Sequence, residues 1–103
     1  MGPAEFEEHV RIALDLLPAD IAAKLENLAV VVEDENAEEP DLLGLFDEQP
    51  YMPARVTVYR LPLVEEFGDD VDLLREEIQI TVLHEVAHYF GIDEERLAEL
   101  GYD

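Results

Sequence analysis

The stretch Val71–Gly91, VDLLREEIQITVLHEVAHYFG, decides how this chain folds. It runs from Val71 to Phe90 without Gly or Pro, long enough for about five helical turns, and then meets a glycine. At about 100° per residue, Glu77, Thr81, His84 and His88 fall in one narrow stripe, with Glu85 beside it. Most of the remaining surface is apolar. Ile78, Val82 and Val86 form one row, and Ile80, Leu83, Ala87 and Phe90 form another. Arg75, Glu76 and Gln79 sit near the start, where exposure is expected. A helix that is apolar nearly all round is buried. A polar stripe on it then needs partners or a cleft, because unpaired buried polar groups cost free energy.

Within that helix His84-Glu85-Val86-Ala87-His88 reads H-E-x-x-H. Histidines at i and i+4 share a helix face, so both imidazoles can reach one metal ion. Zinc accepts neutral imidazole nitrogen, and a catalytic zinc takes three protein ligands and keeps one position for water. The glutamate after the first histidine is placed to take a proton from that water. Five letters with three fixed also fit a plain helix with two histidines and a surface glutamate. Context favours the metal. Only His9, His84 and His88 occur in the chain, and two of them make the pair. Gly91 follows where such a helix must stop, and Asp93-Glu94-Glu95 comes next to supply a third ligand. His9 belongs to another helix and reads as a surface or cap histidine.

Outward from the motif the elements follow in order. Asp70 is the expected N-cap, after the break at Gly68-Asp69, with Asp72 close to the helix start. Beyond Gly91, Asp93–Leu100 reads as a short last helix with Leu97 and Leu100 inward and Gly101 as its cap. At the other end, Phe6, Val10, Ala13, Leu14 and Leu17 recur at helical spacing from Pro3, and Pro18 ends that pattern. A short helix over Ala19–Leu25 is expected next. Val30-Val31-Val32 marks a strand over Leu28–Glu33, and the acidic Asp34–Pro40 stretch a loop. Leu42-Leu43-Gly44-Leu45-Phe46 reads as a loop that plugs the core or walls a cleft, with Pro50 and Pro53 keeping the region irregular. Val56 and Val58 alternate with Thr57 and Arg60 in a second strand over Arg55–Leu61, which Pro62 ends before a helical turn at Leu63–Phe67.

At 103 residues with 49% apolar content, the chain is expected to form one domain, residues 1–103, around one core. No stretch approaches the ~18 continuous apolar residues of a membrane span, and no basic-then-apolar leader opens the chain. The chain has no cysteine, which excludes disulfides and thiolate ligands and fits a reducing compartment; a cytoplasmic location is the expectation. There are 27 acidic residues against 6 basic, a formal charge of −21. Such a surface repels nucleic-acid backbones and anionic membranes, so neither is expected as a partner. It suits a solvated face, a salt-rich cytoplasm, or capture of a basic partner. If the charge lines the cleft, cationic peptides are the favoured substrates.

The segment HEVAHYFGIDEERLAELGY, His84 to Tyr102, resembles the small zincin-like metallopeptidase family found mainly in bacteria. VVVEDE, LLGLF and VTVYRLPL resemble it as well. The resemblance implies an α+β fold, a minimal zincin-like domain: a small sheet packed on the buried H-E-x-x-H helix, flanking helices, and a cleft between sheet and helix. It implies a Zn2+ site and hydrolysis of a peptide or protein substrate. In the H-E-x-x-H-x-x-G pattern of metzincins and similar short-spacer zincins, the third ligand falls three residues after the glycine. Here that is Glu94, where those enzymes carry histidine or aspartate. Asp93 is the alternative ligand, its other role being N-cap of the last helix; Glu99 is a weaker candidate. Glu77 and Thr81 are candidates for the outer shell.

The expected site is therefore His84, His88 and Glu94 on zinc, with Glu85 as general base. Tyr51, Tyr59, Tyr89 and Tyr102 are candidate donors to a developing oxyanion. The edge of the Val56–Leu61 strand is expected to pair with extended substrate. The rival reading is a non-catalytic protein on the same frame that engages a basic partner through its acidic surface. The sequence leaves the oligomeric state open.

Overall fold

Three short strands form where β-branched and aromatic residues cluster. The computed structural model describes residues 1–23, 25, 27–91 and 94–99, without the side chains of Asp20, Glu94 and Leu97. In chain order these are α1 (Pro3–Asp15), α2 (Ala19–Ala22), β1 (Leu28–Glu33), β2 (Gly44–Asp47), β3 (Ala54–Tyr59), α3 (Arg60–Phe67), α4 (Val71–Phe90) and α5 (Glu94–Glu99). The architecture is α+β: one three-stranded sheet against α4, with α1 and α3 packed on the same helix.

β3 lies in the middle of the sheet. β1 pairs with it in parallel, Val30 opposite Val56, and β2 pairs antiparallel, Gly44 opposite Val58. Ala54, Val56, Thr57, Val58 and Tyr59 of β3 are all buried, and only Arg55 is exposed, as expected of a strand covered on both faces. Two expectations are corrected here. Leu42–Phe46 is not simply a loop, because Gly44–Asp47 is a strand. The Val56–Leu61 strand has no free edge, because β1 and β2 occupy both sides of β3. Its end also moves. The chain turns helical at Arg60, where Leu61 N–H donates to the Asp34 carbonyl at 2.9 Å and Arg60 Nε to Asp34 Oδ1 at 3.1 Å. Pro62 then sits in the first turn of α3, where its missing N–H costs nothing.

α4 has the limits expected from its sequence. Asp70 caps it, its Oδ1 accepting from Asp72 N at 3.0 Å and Leu73 N at 3.2 Å. Gly91 ends it at φ 65°, a left-handed conformation that glycine adopts without a Cβ penalty. Leu74, Ile78, Val82, Leu83, Val86 and Ala87 are buried. They meet Phe6, Val10 and Ala13 of α1, Leu63 of α3, and Val56 and Val58 of β3 in one core. Each large side chain buried there stabilises the fold by about 1.5–3 kcal/mol before entropy is counted. α1 ends at Asp15 and α2 at Ala22, both short of the expected limits. Among the described residues no helix is long and apolar enough to cross a membrane.

Candidate metal and catalytic site

β2 runs along α4 in the same direction, Gly44 beside Thr81 and Glu85, and Phe46 beside Tyr89 with ring centroids 5.9 Å apart. Gly44 makes the close approach possible. A Cβ there would stand 2.9 Å from both Glu85 Cγ and Thr81 Cγ2. Such contacts are shorter than packed carbons tolerate, so the strand backbone reaches the motif only because this residue has no side chain.

An open groove of about 450 Å³ runs between the two elements. Asp41, Leu42, Leu43 and Gly44 form one wall. Glu77, Ile80, Thr81, His84 and Glu85 of α4 form the other. The polar stripe read from the helical period therefore faces this groove from Glu77 to His84, with Glu85 beside it. Thr81 is buried, Glu77 and His84 are half-buried, and the Glu85 side chain is only 14% exposed. His88 lies one turn further along α4, outside the groove lining, with 59% of its side chain exposed. Its Nδ1 is 3.4 Å from Glu85 Oε2.

The donor chemistry fits a zinc ion. Two imidazoles one turn apart and open to solvent are suitable nitrogen ligands. A carboxylate facing one ring nitrogen is the kind of contact that orients a ligating histidine. Glu94 opens α5, but its side chain is not described, and Asp93 lies outside the described residues. Glu99 ends α5, its Oε2 3.3 Å from Arg96 Nη1. Among the described residues no three metal-ligating side chains form a cluster.

The remaining candidates are dispersed. His9 does not line the groove. Tyr51 is fully exposed in the turn between β2 and β3. Tyr59 is buried, its hydroxyl accepting from Asn36 Nδ2 at 3.0 Å, and Tyr89 packs against Phe46 with a tilted ring and against Phe90 edge to face. Tyr102 lies outside the described residues. Sequence reasoning missed Asp41 and Ile80 as groove residues and the packing reason for Gly44. A lone glycine within an apolar run was the available signal for the last.

The model of a family described as zincin-like metallopeptidases matches residues 25–102. The match takes in all three strands, α3, α4 and α5 and leaves out α1 and α2. No curated protein matches the chain.

Proposed function

Because the chain belongs to the zincin-like metallopeptidase family, we propose that it is a zinc-dependent peptidase whose chemistry is centred on His84, Glu85 and His88. One observation carries this reading: His84 and Glu85 face an open groove, although the helix that bears them is otherwise built for burial. His84 and His88 would hold the metal through ring nitrogens, with Glu94 as the third ligand and Asp93 as the alternative. Bound there, zinc supplies a Lewis acid and lowers the pKa of a water molecule.

Glu85 takes the proton from the attacking water and delivers it to the leaving amide nitrogen. Its partial burial limits competing solvent, and the apolar wall of Leu42, Leu43 and Ile80 contacts the substrate. Extended substrate lies along β2, the strand at this side of the sheet, rather than along β3, whose two edges are taken.

The test is hydrolysis of a mixed peptide library with zinc and with chelator. Glu85→Gln should retain zinc by metal analysis and lose at least about 100-fold in kcat, the range expected for a lost general base. Full activity in Glu85→Gln rejects Glu85 as the base. The net charge of −21 favours a second reading, a binder of a basic protein partner. That reading predicts salt-sensitive capture that persists in Glu85→Gln and in chelator.

A further inference from the structure

Among the described residues, the groove beside the motif is lined by three carboxylates, Asp41, Glu77 and Glu85, and by no lysine or arginine. Glu85 faces His88, so it has a partner. Glu77 has none: the residue is half-buried, and among the described residues its carboxylate makes no hydrogen bond or ion pair. Among the described residues no arginine is spare to offer it. Arg11, Arg55, Arg60, Arg75 and Arg96 each lie within 4 Å of a carboxylate elsewhere. A carboxylate with no counter-charge, set in a groove, gains from a cation brought in from outside.

The walls decide what kind of cation fits. Ile80, one turn from Glu77, and Leu42, which also lines the groove, are apolar and half-buried. A lysine or arginine places its alkyl stem along such a surface and its charged head at a carboxylate. A small hydrated ion gains nothing from the apolar wall.

We propose that Glu77 is a specificity-determining residue that selects a lysine or arginine side chain in the peptide substrate, with Asp41 adding charge from the opposite wall. The proposal rests on the peptidase reading of the same groove and names its substrate class. His84 lies seven positions after Glu77 in α4, roughly 10 Å along the helix axis. An extended peptide advances about 3.3 Å per residue. The selected side chain therefore lies about three residues from the scissile bond.

The experiment uses the full chain with zinc and peptides that differ at one position, bearing lysine, arginine or norleucine in turn. Cleavage with lysine or arginine should exceed cleavage with norleucine about tenfold in kcat/KM at one position two to four residues from the cut. Glu77→Gln should remove most of that ratio, and 0.5 M salt should reduce it. The ratio is the readout because misfolding lowers both of its members together. Equal values at every position overturn the proposal, as does a preference that survives in Glu77→Gln. A preference spread evenly over all positions also overturns it, since that is only long-range attraction to an acidic protein. If no peptide is cleaved in a chelator-sensitive way, the peptidase reading falls, and binding of the same peptides to Glu85→Gln decides this proposal separately. Tighter, Glu77-dependent binding of the lysine peptide sustains it, and equal binding overturns it.

Discussion

Gly44 shows how much one side chain can decide. Its backbone sits against Glu85 and Thr81 with no space for even a methyl group, the added carbon falling 2.9 Å from each. Gly44→Ala must push β2 from α4 or shift the Glu85 stem. We expect a loss of about 1–3 kcal/mol in a denaturant titration, typical of an overpacked interior. Hydrolysis should fall further than stability explains, because the displaced group includes the proposed base. An unchanged transition midpoint would show that the strand adjusts freely and that the groove is not held by this contact. Glu85 itself was legible in five letters, but the need for glycine opposite it was not. That need arises between residues 44 and 85, which no local pattern connects.

The turn that joins β2 to β3 contains strain that can be measured. Tyr51 has φ 67°, and it is the one residue other than glycine with positive φ among the described residues. Pro50 precedes it, and Met52 N–H donates to the Gln49 carbonyl at 3.4 Å, so the turn places Tyr51 where glycine is favoured. The tyrosine ring is fully exposed and gives up no packing when removed. Tyr51→Gly should therefore raise thermal stability, by about 0.5–1 kcal/mol after allowing for glycine's more flexible unfolded state. A fall in Tm would mean that the ring makes a contact in solution that offsets the strain. α4 behaves differently from this turn. Its limits at Val71 and Phe90 followed from sequence, because cap, period and terminating glycine are local signals. β2 was read as irregular chain for the opposite reason. Four residues with a glycine carry little strand propensity, and Gly44–Asp47 becomes a strand because β3 supplies its hydrogen bonds.

A charge of −21 on 103 residues is self-repulsion held in check by the core. Each described arginine is engaged with carboxylates, yet most acidic groups have no cation to meet. Screening should therefore stabilise the folded state. Raising sodium chloride from about 20 mM to 500 mM shortens the screening length from roughly 20 Å to 4 Å, and Tm should rise by several degrees. A flat or falling Tm would mean that exposed ion pairs such as Arg11 with Glu8 and Asp15 outweigh the repulsion, against their usual small worth. The sequence was sufficient for the charge, the buried helix and the His84–Glu85–His88 spacing, because composition and helical period are properties of the chain read in order. Which strand lies beside that helix, which strands form the edges of the sheet, and that Glu77 and Asp41 line one groove were decided only by packing. Those relations join residues far apart in the chain, and their energies arise when desolvated surfaces meet.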